Sequence, residues 1–186
     1  MSSSFTKPKK IIAITGLIGS GKNEVADYIS TYGYAVFDYA DLIREMMRKE
    51  GIKPTRINIQ NYRLKHGNTF LAEAIVEKIK KSSHDKIVLT PIRRPEDYEI
   101  PKKAFSTKII MIHVVANEKV RFGRLKARGS TRDPKTFADF KGQEKRELEI
   151  FNFEKTFKYA DYVIENNGTL KELHGKLDKL MKKLVG

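Results

Sequence analysis

The residues best suited to chemistry lie in Gly16-Leu17-Ile18-Gly19-Ser20-Gly21-Lys22, a G-x-x-x-x-G-K run between the apolar stretch Ile11 to Ile14 and a helix-patterned segment starting at Glu24. Three glycines let the backbone curl so that successive N–H groups face one anion. The helix that follows adds its positive end, and Lys22 reaches the outer phosphates of a nucleotide. The strand–loop–helix context separates such a P-loop from a glycine-rich turn with a purely structural role. The expected nucleotide contacts are Gly16, Ile18, Gly19, Ser20, Gly21, Lys22, Asn23 and Glu24, and the expected bound species are ATP and Mg2+. Asn23 stands after the lysine, where a hydroxyl usually ligates the ion. Its amide oxygen is still a hard donor, so Asn23 is the candidate metal ligand.

Phosphoryl transfer also needs a group that orients the attacking oxygen, and cations that meet the charge developing on the transferred group. Asp38 and Asp41 fall at the end of an expected strand, on the sheet edge where open α/β folds bind ligands. Asp41 is read as a base or metal-orienting group, against the structural role of a first-turn acid favoured by the helix dipole. Arg121, Arg124 and Arg128 share one helix face, and Arg132 follows in a loop. They form either a solvated basic face or a lid over about 121–140 that brings guanidinium groups onto the triphosphate. Arg44, Arg48, Arg56, Arg63, Arg93 and Arg94 form a second basic group. Of these, Arg44, Arg63, Arg93 and Arg94, with His66, Asp38 and Asp41, are the expected acceptor contacts. Arg93 and Arg94 are the most informative because strand C-terminal ends face the crevice. His66, His84, His113 and His174 are too scattered to suggest a metal cluster, and His113 inside an apolar strand reads as packed. No hydrolase or zinc motif is present.

The elements that must position these residues follow from the apolar pattern. Strands are expected at 11–15, 34–38, 86–90 (closed by Pro91), 108–115 and 162–164. Helices are expected at 24–31, 40–50, 55–81 with a break at 66–68, 117–128, from Pro134 to about 158, and from Thr169 to 184, opening with a Thr169/Glu172 capping box. Residues 41–82 would supply the acceptor-side helices. Near-continuous apolar strands alternating with helices indicate an α/β three-layer fold with a parallel sheet. A chain of 186 residues suits one domain over 1–186. The 37 Lys and Arg against 23 Asp and Glu give a net charge of +14, which favours anionic partners. The aromatic–basic interleaving of a nucleic-acid surface is not visible, so a small anionic substrate is expected, no membrane and no nucleic acid, with a homodimer left open. The lack of cysteine and of an 18-residue apolar run gives a cytoplasmic expectation.

Three segments then carry a resemblance. Ile14 to Lys22, Ala40-Asp41-Leu42-Ile43, and Ala160 to Gly168 resemble, in order and spacing, the dephospho-CoA kinases and related archaeal nucleotide-kinase-like proteins. The resemblance implies a nucleoside-monophosphate-kinase topology with strand order 2-3-1-4-5 and an ATP-dependent kinase. It implies a catalytic role for Asp41 beside Lys22 and Arg128, lid positions for Arg128 and Arg132, and an adenine pocket bordered by Asn166, Asn167 and Gly168. Two departures fall on the metal and acceptor side: Thr90-Pro91-Ile92-Arg93 replaces an Asp-Gly-Ile-Arg pattern, and Asn23 replaces a hydroxyl. They imply a changed acceptor. Mevalonate 3-phosphate, substrate of an archaeal 5-kinase of this type, is the leading candidate, with dephospho-CoA or a nucleoside monophosphate as alternatives. The competing classes are a nucleic-acid-stimulated ATPase and a non-catalytic nucleotide sensor.

Overall fold

The most apolar runs become the middle of the sheet. In the computed structural model, which describes residues 8–130 and 133–185, β1 (Lys10–Thr15) lies between β3 (Lys86–Ile92) and β4 (Ile109–Val115), all parallel. The shorter β2 (Ala35–Asp38) and β5 (Tyr162–Glu165) add at the edges, giving the order β2-β3-β1-β4-β5. This is the expected topology.

Side chains alternate between two covered faces, which explains why the central strands read as continuous apolar runs. On one face Ile11, Ala13, Leu89 and Met111 pack with α2 (Tyr39–Lys49), α4 (Phe70–Lys80) and α5 (Pro95–Phe105). On the other, Ile12, Ile14, Val88, Ile112 and Val114 pack against α1 (Lys22–Ser30) and α9 (Leu170–Val185). Each fully buried Ile or Leu contributes about 1.5–3 kcal/mol relative to an exposed one. That burial fixes the strand ends, and with them the site.

Three local expectations are corrected. Pro91 does not close its strand: β3 continues to Ile92. The ladder to β1 is irregular between Ala13 and Thr15, so the N–H that proline lacks falls where pairing is already interrupted, and Thr15 Oγ1 then donates to the Ile92 carbonyl at 2.7 Å. Residues 95–105, not assigned from sequence, form α5, started by Pro95 and by Asp97, whose carboxylate accepts from the N–H groups of Arg93 and Arg94. Pro134 does not begin a helix. The start is set by a capping box between Thr136 and Asp139, and the expected long helix is divided at Asn152, with φ of 46°, into α7 (Phe137–Phe151) and α8 (Phe153–Phe157). α3 (Arg56–His66) and α6 (Glu118–Arg128) lie where helices were expected. Among the described residues no helix is long and apolar enough to cross a membrane.

Candidate active site

The P-loop has the conformation its glycines allow. Gly16, Gly19 and Gly21 have φ of 148°, 77° and 96°, all in the region L side chains rarely adopt. A Cβ at Gly16 would lie 2.3 Å from the Val114 carbonyl, and one at Gly21 would meet Asn166 Nδ2 at the same distance, so space as well as φ excludes other residues. Lys22 Nζ donates to the Leu17 carbonyl at 2.8 Å, folded over its own loop. Burial pulls its amine from 10.5 down to about 7, and the charge of Arg93 acts in the same direction. A buried amine folded over a glycine loop at the start of α1 fits a bound polyphosphate. Ser20 Oγ, buried without a hydrogen-bond partner among the described residues, fits one too.

The loop is braced from β5. Asn166 is buried, donates Nδ2 to the Ser20 carbonyl at 2.9 Å and accepts from Arg124 at 3.1 Å. Asn167 Oδ1 accepts from the Asn117 N–H at 2.7 Å, and Arg124 also reaches the Gly168 carbonyl at 3.4 Å. The Asn166–Gly168 segment therefore scaffolds the P-loop and the start of α6.

Across the C-terminal edge of the sheet lies one face of α7, composed of Phe140, Glu144, Glu147 and Phe151 at helical spacing. Arg121 stacks 5.1 Å from the Phe140 ring centre, pairs with Glu144, and donates to the Ile18 carbonyl of the P-loop at 3.2 Å. Arg93 pairs with Glu147 at 3.2 Å. Arg63, Arg93 and Arg94 converge on the Phe151 ring at 5.6, 5.1 and 5.2 Å. Burial lowers Arg63 to about 10, opposed first by the Asp97 carboxylate. Glu147 pairs with one of the three guanidinium groups on this ring and Asp97 is already occupied as a helix cap, which leaves the cluster with an excess of positive charge. Next to Lys22 they form an anion-receiving surface.

The carboxylate side is arranged differently. Asp38 Oδ1 accepts from the N–H groups of Ala40 and Asp41, capping α2; burial raises its pKa while those hydrogen bonds oppose the rise. Asp41 has a side chain 70% exposed and pairs with Arg44 at 2.5 Å. Both line a cavity of about 540 Å³ with Asn23, Asp27 and Thr90. Thr90 is the register partner of Asp38 on the α1 face, 1% exposed, and its hydroxyl has no hydrogen-bond partner among the described residues.

Several expected site residues serve other ends. Arg121 is not part of a solvated or mobile face, because its buried pair with Glu144 ties α6 to α7. Arg124 is absorbed by the Asn166 brace, which leaves Arg128 as the exposed member of the three, paired with Asp133. Glu24, in the first turn of α1, pairs with His174 of α9 at 2.6 Å. His66 stacks on Tyr62 at 4.2 Å and leans on Phe70, so its ring is engaged between α3 and α4. Arg132 and the side chain of Arg56 lie outside the described residues. His113 is packed as expected, 3.9 Å from the Phe157 ring, with burial lowering its pKa to about 4 and Lys22 adding to the effect. Sequence reasoning missed Glu147, Phe151 and Glu144; their helical spacing was visible, but nothing marked that face as turned toward arginines.

A family described as AAA domain matches residues 12–152. A UPF0200 protein of Pyrococcus horikoshii is 33% identical over 182 residues, covering 94% of this chain and 97% of that protein. Among solved structures, the shikimate kinase from Acinetobacter baumannii in complex with shikimate superposes with a TM-score of 0.63 at 14% identity, covering 96% of this chain and 94% of that one. A gluconokinase from Sinorhizobium meliloti 1021 gives 0.58 at 17% identity, covering 97% and 98%. These likenesses show the α/β P-loop kinase fold, the coarser part of the resemblance drawn from sequence. The chain belongs to the AAA-domain family of P-loop proteins and, within it, is one of the UPF0200 proteins.

Proposed function

We propose that this protein is an ATP-dependent kinase that moves the γ-phosphoryl group to the hydroxyl of a small, already anionic metabolite, with mevalonate 3-phosphate as the leading candidate. The observation that carries this reading is the convergence of Arg63, Arg93 and Arg94 on Phe151 beside Lys22. Lys22 and the P-loop N–H groups receive the donor phosphates, and the three arginines receive charge on the acceptor. Mevalonate 3-phosphate carries a phosphate and a carboxylate, two anions for that surface. Arg128, exposed beside Lys22, is the lid cation that meets charge on the transferring group.

Among the described residues there is no group of three or more His, Cys, Asp or Glu that could hold a metal. This donor set fits Mg2+ carried largely by phosphate oxygens and water, with Asn23 as protein ligand and Asp38 and Asp41 at the cavity rim orienting that water. The ion supplies neutralisation of phosphate charge.

The test follows ATP consumption with mevalonate 3-phosphate, mevalonate 5-phosphate, dephospho-CoA, AMP, CMP and dTMP in parallel, and with RNA alone. Turnover confined to dephospho-CoA or a nucleotide would remove the leading acceptor and leave the kinase. Hydrolysis stimulated by RNA without any phosphorylated metabolite would overturn the kinase reading.

A further inference from the structure

We propose that Glu147 is the carboxylate that takes the proton from the acceptor hydroxyl, a role that rests on the kinase reading above. The cation marking the donor phosphate, Lys22, comes from α1. Those marking the acceptor come from α3 and from the turn after β3. Glu147, on α7, pairs with Arg93 at 3.2 Å, and its charge acts on both Lys22 and Arg63. It is therefore the carboxylate that stands between the two halves of the reaction. Its side chain is 15% exposed, so bulk water is largely excluded, and among the described residues Oε2 carries no hydrogen bond.

The other acids near the crevice are committed elsewhere. Asp97 caps α5, Asp38 caps α2, Glu144 is bound to Arg121, and Asp41 is held by Arg44 at the solvent-facing rim. Glu147 is also held where it stands: one turn before it α7 is pinned through Glu144, and one turn after it Phe151 lies under three guanidinium groups. A carboxylate on a helix locked at both neighbouring turns has the fixed geometry that proton transfer needs. Arg93 orients one oxygen and leaves the other for the substrate.

In the step itself the acceptor oxygen forms a bond to the γ-phosphorus and its proton passes to Oε2 of Glu147. The bond from the γ-phosphorus to the bridging oxygen breaks, and ADP leaves with that electron pair. The proton is then released to water.

The decisive variant is Glu147→Gln, which keeps volume and an oxygen for Arg93 and loses the ability to take a proton. With the full chain, ATP, saturating Mg2+ and mevalonate 3-phosphate, kcat is expected to fall by ~10²–10⁴-fold. The acceptor KM and the ATP affinity by calorimetry should not change, and Glu147→Asp should retain part of kcat. Preserved ATP affinity also shows that the variant is folded. Wild-type kcat in Glu147→Gln, or a raised acceptor KM at unchanged kcat, would overturn the proposal and make Glu147 a positioning residue for Arg93. Failure of the wild type itself to phosphorylate any of the six small acceptors would instead remove the kinase reading on which the proposal stands.

Discussion

Arg121 and Glu144 form an ion pair of 2.5 Å in which the residues are only 3% and 5% exposed, joining α6 to α7 above the P-loop. A buried pair broken on one side leaves a charge with neither water nor partner. Arg121→Ala is accordingly expected to cost about 3–5 kcal/mol of stability. A chemical denaturation series checks this, with the double variant Arg121→Met/Glu144→Leu expected to recover most of the loss. A single variant as stable as wild type would mean that the pair is not buried in solution.

Lys22 should couple nucleotide binding to protons. Its amine is depressed to about 7 in the free protein, so near neutral pH a large share of molecules carry it uncharged. A triphosphate favours the charged form and raises the pKa, so binding takes up protons and affinity falls as pH rises through about 7 and above. Calorimetry in buffers of different ionisation enthalpy measures the uptake, and a value of zero above neutrality would contradict the depressed amine. Lys22→Ala should abolish both binding and uptake.

The arginines on Phe151 should control acceptor recognition without touching the donor. Charge-assisted hydrogen bonds contribute ~1.5–3 kcal/mol each, so Arg94→Ala or Arg63→Ala is expected to raise acceptor KM by ~10–150-fold while ATP affinity is retained. Initial-rate kinetics against acceptor concentration, beside ATP titration of the same variants, separates the two. Equal loss for ATP would place these groups on the donor side.

Asn166 braces the Ser20 carbonyl, so its removal should act on the phosphate-binding loop whatever base the nucleotide carries. Asn166→Ala is expected to weaken inorganic triphosphate and ATP alike, and to lower stability by about 1–3 kcal/mol by leaving buried groups unpaired. Weakened ATP with unchanged triphosphate affinity would return the residue to the adenine pocket.

Thr90 offers a contrast between stability and activity. Its buried hydroxyl lacks a partner, so Thr90→Val should leave the free protein as stable or up to about 1 kcal/mol more stable. Turnover should fall, because Thr90 lines the cavity shared with Asn23 and Asp38. Thermal unfolding and steady-state rates on the same variant decide this. A marked loss of stability would show that the hydroxyl is paired in solution.

The sequence alone determined what local rules control: the P-loop, the parallel α/β pattern, and the Thr169/Glu172 capping box, whose two hydrogen bonds form at 3.2 and 3.3 Å. These depend on residues a few positions apart, or on periodicity that any covered strand must show. Only the tertiary structure decided that Arg121 is sealed against Glu144 while Arg128 stays open, that Glu24 belongs to His174, and that Glu147 and Phe151 face the arginines. Each helix face could be read from its spacing, but what it faces depends on how α6, α7 and α9 pack onto the sheet. A guanidinium 23 or 54 residues from its carboxylate, as in Arg121–Glu144 sealing α6 to α7 and Arg93–Glu147 above the crevice, finds it only after that packing has removed water from between them.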